Sequence, residues 1–414
     1  MLEQIEGSLG VAKAVALCRP GVVCAYPISP QTHIVENLGK FVKNGELKDC
    51  DFLNVESEFS AISVSIGSEV GGARTYTATA SQGLLFMTEG IYSASGLGLP
   101  IVMTVASRAI GGPINIWNDH SDSLSQRDSG WLQLFCESNQ DAVDTHIMAF
   151  KIAEKVGLPV MVCMDGFVLT HAFERLDIPS QETVDKFLKP YEPKEYLNTK
   201  EPVSIGAMVG PEAFTEVRLL QQRKMAKALD VIEEVTKEYR ELTGSKSGGL
   251  LDCYNCENAD LKLIILGSTV GTAKDEIDRL KAEGINVGII SLKSFRPFPY
   301  AAIKEAIGDT KQVICVERAF SFGARGIICP EVKRAVEGTS CDVKTVVAGL
   351  GGRPIFGTTI NGIVKDALAG KFTEEFTFFD VNADVLNSYT QKHEGVTFNK
   401  GPINQSAIEK SVKA

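Results

Sequence analysis

The chain has 414 residues, 44% of them hydrophobic and 23% charged, which is a globular composition with room for two to four domains. Its 42 basic and 52 acidic residues leave a net charge of −10 with no Lys/Arg cluster, so nucleic acid and anionic membrane are poor partners. No apolar run approaches the ~20 residues of a membrane span. Residues 1–10 lack a basic stretch followed by an apolar core, so a soluble, cytoplasmic protein is expected.

The first strand is predicted over Gly21–Tyr26, with a helix from about Thr32. Phe52–Val55 and Glu58–Glu69 repeat the strand–helix alternation, as do Arg74–Thr79 and Gly83–Ser95. Pro100–Ala106 reads as a strand, Asp141–Val156 as a helix and Pro159–Met164 as another strand. Apolar strands alternating with helices predict a mainly parallel sheet covered on both faces. Residues 176–216 interrupt this with Pro179, Pro190, Pro193, Pro202 and Pro211; they read as an arm over the surface, either a wandering loop or an inter-subunit contact. Glu212–Leu242 predicts a long helix with Met225, Leu229, Ile232 and Tyr239 on one face. The first domain then spans residues 1–245, followed by a linker over 246–260 that begins within the Thr243–Gly249 run.

A second α/β domain is predicted over 261–370. Its strands are Leu261–Ser268, Val287–Leu292, Gln312–Glu317 and Val343–Ala348, and its helices are Thr272–Glu283, Gly326–Val336 and Thr358–Leu368. Residues 371–414 are polar and weakly patterned and read as a C-terminal extension. The ten cysteines are scattered, several in apolar strands such as those of Cys24 and Cys315, and read as buried free thiols. Cys253 and Cys256 form one C-x-x-C pair without the second pair that a cluster or zinc site needs. No metal site is expected on this chain.

Open parallel sheets bind ligands beyond the carboxyl ends of their strands. After the first strand, Pro27 and Pro30 flank Ile28 and Ser29, and Ser29 is placed either to cap the next helix or to face a ligand. Glu58 opens a helix of small residues, where a carboxylate also benefits from the helix dipole. Ser81 and Gln82 follow the third strand, and Arg108 the fourth. A guanidinium at that edge suits bidentate capture of a small carboxylate, or a structural ion pair. Asn118, Asp119, His120, Ser121 and Asp122 form a polar run, in which His120 reads as a hydrogen-bonded loop histidine rather than a base. Phosphate-loop, dinucleotide, nucleophile-elbow and zinc-protease motifs are missing, as is a G-D-G segment for a metal-diphosphate. The residues by themselves point to a small-anion site around Ser29, Glu58 and Arg108.

These segments resemble the α subunits of the 2-oxoacid:ferredoxin oxidoreductases, most closely the pyruvate branch. The matching motifs are Y-P-I-S-P-Q-T (26–32), N-V-E-S-E (54–58), T-A-S-Q-G-L (79–84), I-N-I-W-N-D-H-S-D (114–122), R-D-S-G-W-L-Q (127–133) and G-L-G-G-R (349–353). The resemblance implies a doubly wound pyrimidine-binding domain for thiamine diphosphate, followed by a transketolase C-terminal-like α/β domain. It maps Glu58 onto the glutamate that hydrogen-bonds the aminopyrimidine ring and favours its imino tautomer. It maps Arg108 onto the arginine that holds the substrate carboxylate. Ser29 falls on a position that is usually Thr, keeping the hydroxyl and losing a methyl. Pro27, Ile28, Ser81 and Gln82 become cofactor contacts, and Asn118, Asp119, His120 and Asp122 an active-site loop. The resemblance also implies a β subunit holding the diphosphate and Mg2+, 4Fe-4S clusters on other chains, and γ and δ subunits in a dimer of heterotetramers. Pyruvate and coenzyme A would be the substrates and ferredoxin the electron acceptor. The alternatives are a branched-chain 2-oxoacid enzyme and a non-catalytic scaffold subunit.

Overall fold

The computed structural model describes residues 2–413. In chain order the first stretch runs β1 (Leu2–Glu6), α1 (Gly7–Leu17), β2 (Val22–Ala25), α2 (Thr32–Lys43), β3 (Asp51–Asn54), α3 (Glu58–Val70), β4 (Thr75–Thr79), α4 (Ser81–Phe86), α5 (Thr88–Leu97) and β5 (Val102–Ser107). It continues through α6 (Ser121–Ser125), β6 (Leu132–Phe135), α7 (Asn139–Val156), β7 (Val160–Asp165), β8 (Phe173–Asp177), α8 (Gln181–Phe187) and α9 (Phe214–Thr243). Then come β9 (Leu251–Tyr254), β10 (Leu261–Ile265), α10 (Thr269–Ala282), β11 (Val287–Leu292), β12 (Ser294–Arg296), α11 (Tyr300–Ile307), β13 (Gln312–Glu317) and α12 (Ile328–Ala335). The chain closes with β14 (Asp342–Val347), α13 (Gly357–Leu368), β15 (Phe376–Phe378), α14 (Ala383–His393), β16 (Ile403–Asn404) and α15 (Gln405–Lys413). These elements form two α/β units, one reaching to Leu250 and including Lys293–Pro299, the other formed by Leu251–Leu292 and the chain from Tyr300.

The sheet of the first unit has the order β12-β6-β7-β5-β4-β2-β3. Its strands are parallel except β12, which runs antiparallel to β6. Strands β2, β4, β5, β6 and β7 are buried along their whole length, as expected where helices cover both faces. From β2 the chain passes to β3 on one side, whereas β4 leads to β5 on the other, so the order reverses between β2 and β4. Open α/β sheets bind ligands in the crevice at such a reversal.

Buried polar groups brace the helical layers. Arg74 grips Glu154 through Nε (2.6 Å) and Nη2 (3.2 Å), and Cys18 O through Nη1 (2.6 Å). Its Nη2 also donates to Lys189 O (2.7 Å), tying down the start of the proline-rich segment. Within that segment α8 is regular and residues 188–213 are irregular. Of the predicted face of α9, Ile232 and Tyr239 are buried and Met225 and Leu229 pack against the core's edge.

The second sheet has the order β16-β15-β14-β13-β10-β11-β9. It is parallel from β15 to β11, with antiparallel edges β9 and β16. Three features depart from the sequence reading. The stretch expected to be a linker is structured: β9 edges the second sheet, and Ser245 and Ser247 hydroxyls bind Asp144 Oδ2 (2.7 and 2.8 Å). A buried carboxylate needs such donors, and burial raises the Asp144 pKa. The expected extension is part of the sheet: Phe376 pairs with Thr345 through β15, and Phe372, Phe376 and Ile403 are buried. Lys293–Pro299, expected within the second domain, joins the first unit, where Phe135 N donates to Lys293 O (2.7 Å). No helix among the described residues is long and apolar enough to cross a membrane.

Candidate active site

Four segments converge around the strand-order reversal: the loop after β2, the first turns of α3 and α4, and residues 108–122 after β5. The Ser57 hydroxyl caps α3 by accepting from Ser60 N (3.2 Å). Glu58, the first helical residue, is 8% exposed. Its charge is favoured by the helix dipole, yet no described residue donates a hydrogen bond to its carboxylate. Gly83 makes room for it: a Cβ there would stand 2.7 Å from Glu58 Oε1 and 2.6 Å from Thr79 Oγ1. The Thr79 hydroxyl is itself buried without a partner among the described residues. A nearly buried carboxylate without a protein donor, at the ligand edge of the sheet, fits an external heterocycle bearing N–H donors.

Arg108 is the brace of the site. Its Nη1 donates to Ser29 O (2.8 Å), Nε to Asn115 O (3.1 Å), and Nη2 approaches Gln82 Oε1 at 3.5 Å. One guanidinium thus joins three of the four segments and leaves part of its fork uncommitted. Ser29 is exposed and does not cap α2, where Gln31 is the cap residue and makes no side-chain cap bond. Buried Gln31 instead donates to Tyr26 O (2.9 Å) and Ala78 O (3.3 Å), fixing the loop between β2 and β4. Pro27 is exposed and Ile28 half-buried on that loop.

Asp122 is fully buried. Its Oδ2 accepts from Ser81 N (2.8 Å) and Arg108 N (2.9 Å), and its Oδ1 from Ser123 N (2.6 Å). Burial pushes its carboxyl up to about 7, against the pull of those three N–H groups toward the anion. Ser81, with φ of 50°, donates its hydroxyl to Ala109 O (2.5 Å) and is fully buried. Its hydroxyl is thus committed to a protein carbonyl. The expected active-site loop also turns inward: Asn118, Asp119, His120 and Asp122 are all buried. His120 Nε2 meets Asp165 Oδ1 at 2.7 Å, with its ring edge-on to Phe135. Just before this loop, Ile114 and Trp117 point outward, 80% and 55% exposed.

Three residues packed around these groups were not singled out from the sequence: Gly83, Thr79 and Asp165. Gly83 lies inside T-A-S-Q-G-L, and Asp165 directly follows the predicted strand Pro159–Met164, so position alone could have raised both. R-D-S-G-W-L-Q is a structural brace: buried Trp131 donates to Ile91 O (2.7 Å) and Gln133 to Ser123 O (2.6 Å). In G-L-G-G-R, Gly349 N and Arg353 both engage Asp380.

The family model described as "Pyruvate flavodoxin/ferredoxin oxidoreductase, thiamine diP-bdg" matches residues 13–239. "Pyruvate:ferredoxin oxidoreductase core domain II" matches residues 259–360. Pyruvate synthase subunit PorA of Methanosarcina barkeri is 42% identical over 390 residues, 92% of this chain and 97% of that one. The subunit of the same name from Methanocaldococcus jannaschii is 46% identical over 370 residues, 87% and 94% of the two chains. Among solved structures, 2-oxoglutarate:ferredoxin oxidoreductase from Magnetococcus marinus shares the fold at a TM-score of 0.69 and 20% identity. That match covers 88% of this chain, which spans 65% of the length of the other. A thiamine diphosphate-binding domain model over more than half the chain, and relatives of this identity across nearly all of it, agree with the open Glu58 carboxylate: the chain belongs to the pyruvate flavodoxin/ferredoxin oxidoreductase family.

Proposed function

We propose that the chain is the α subunit of a pyruvate:ferredoxin oxidoreductase, active only within a complex. The reaction is the reversible, coenzyme A-dependent oxidative decarboxylation of pyruvate to acetyl-CoA and CO2, with reduction of ferredoxin. The observation that carries this reading is Glu58, a nearly buried carboxylate with no donor of its own at the sheet's ligand edge. Glu58 would hold the aminopyrimidine ring of thiamine diphosphate, which when bound supplies the electron sink for decarboxylation. The uncommitted part of the Arg108 fork and the Ser29 hydroxyl would orient the substrate carboxylate. Asp122 and Ser81 would keep those groups in register through backbone bonds rather than touch the ligand.

The cofactor's diphosphate and Mg2+ would be held by a β subunit, and the 4Fe-4S clusters by other chains of a cytoplasmic αβγδ complex. Exposed Ile114, Trp117 and Phe86 beside the site support a shared pocket completed by another chain. The test is to assemble the chain with its partner subunits and follow ferredoxin reduction dependent on pyruvate and coenzyme A. Turnover with pyruvate at least tenfold above that with 2-oxoisovalerate is expected. The opposite preference overturns the substrate, and full turnover without this chain reduces it to a scaffold.

A further inference from the structure

The C-x-x-C pair lies outside the machinery just described. Cys253 sits on β9 opposite Ile290 of β11 and is exposed. Asn255, with φ of 53°, turns the chain sharply after β9. Its Nδ2 donates to Val287 O (2.8 Å) and Asn286 Oδ1 (2.9 Å), which anchors the turn. Cys256 Sγ reaches Ile289 O at 3.2 Å. The turn is packed so closely on β11 that a Cβ at Gly288 would stand 3.0 Å from that sulfur.

Gly288 and Ile290 lie on one face of β11, so Cys253, opposite Ile290, and the Cys256 sulfur, against Gly288, stand on the same face of the sheet. The neighbouring Cys256 thiol draws the Cys253 thiol down to about 7, and Cys253 in turn pushes Cys256 up. Lys262 adds to the effect on Cys253, and Asp252 and Glu305 oppose it. Burial acts the other way on Cys18, Cys24, Cys50, Cys136, Cys163, Cys315 and Cys341, all of which are raised. The described residues place no third His, Cys, Asp or Glu ligand atom beside the pair, so it lacks the ligand count of a structural metal site.

We propose that Cys253 and Cys256 form a dithiol that exchanges reversibly with external disulfides. The Cys253 thiolate attacks one sulfur of the external disulfide; that S–S bond breaks, and the departing thiolate takes a proton from solvent. Cys256 then gives up its proton and attacks the Cys253 sulfur of the mixed disulfide, releasing the second external thiol. The protein pair loses two electrons and two protons, which the external disulfide gains. Excess thiol reverses both steps. An exposed attacking thiol, with a resolving thiol three residues on and on the same face of the sheet, is the arrangement this exchange needs.

The full-length chain, reduced and then freed of reductant without oxygen, is incubated with glutathione disulfide or with an oxidised C-x-x-C protein. It is then alkylated and read by intact mass and peptide mapping. The expected product is a Cys253–Cys256 disulfide that dithiothreitol reverses. Formation with glutathione disulfide supports a small-molecule partner; formation with the protein disulfide alone supports a protein partner. Cys256→Ser should stop at a stable Cys253–glutathione adduct. Cys253→Ser should react roughly tenfold or more slowly, because its remaining thiol is mostly protonated. Circular dichroism confirms that each serine variant is folded. A stable glutathione adduct in the unmutated chain, or two thiols still free after both treatments, overturns the proposal. So does a metal found bound to the pair in equal amount.

Discussion

Gly83→Ala separates the position of Glu58 from its mere presence. Gly83 lies in α4, where alanine should favour the helix by ~1 kcal/mol. Its new Cβ, however, would stand 2.7 Å from Glu58 Oε1, about 0.7 Å short of ordinary contact. Thr79 Oγ1, at 2.6 Å, blocks retreat on the strand side. Such overpacking costs ~1–3 kcal/mol, so the net loss of stability should be only ~0–2 kcal/mol, and the complex should still assemble. Catalysis should suffer more, since a 1 Å misplacement can cost ~100-fold; a loss of roughly 10–100-fold in pyruvate-dependent ferredoxin reduction is expected. Thermal denaturation of the chain and cofactor content of the complex are measured alongside. Added to Glu58→Gln, the alanine should cost little more, because both changes act on one group. Turnover within twofold of the unmutated complex at equal cofactor content would refute the reasoning, and so would full additivity of the two losses.

Glu58→Gln should leave assembly intact and lower turnover by ~10²–10⁴-fold, the range of a lost acid–base contribution; unchanged turnover in the assembled complex would remove Glu58 from the chemistry. Arg108→Lys replaces a planar fork with a point donor. It should raise the KM for pyruvate, with kcat/KM falling ~10–100-fold for a lost charged hydrogen bond of ~1.5–3 kcal/mol. A lower melting temperature with unchanged KM would make Arg108 a brace of Ser29 and Asn115 alone. His146 is pushed down by burial from 6.5 to about 4, with Nδ1–H on Ala142 O (2.6 Å) and Nε2 accepting from Thr104 (2.5 Å). Its folded pKa is depressed, so its stabilisation is full above pH ~6.5 and is lost as pH falls toward ~4, by up to roughly 3 kcal/mol. Urea midpoints of His146→Gln should therefore change less than those of the parent across that window, and an identical slope counts against the assignment.

The two-unit α/β plan was legible because burial on both faces forces strands such as Val102–Ser107, Val160–Asp165 and Gln312–Glu317 to be short apolar runs. Glu58 and Arg108 were legible for a related reason: each follows a strand, and strand ends line the crevice. Local pattern did not carry the return of Ser294–Arg296 to the first sheet, or the pairing of Phe376–Phe378 beside β14. Edge strands this short have little periodicity, and their partners lie far away along the chain. The inward turn of His120 and Asp122 was hidden likewise, since a polar run in sequence does not say which side chains find buried donors. His120 is satisfied by Asp165, and Asp122 by N–H groups of Ser81, Arg108 and Ser123. Residue type and spacing determine which elements form and which chemical groups reach the ligand edge. Long-range packing decides which of those groups are already partnered, and so which, like the Glu58 carboxylate, stay open to a ligand.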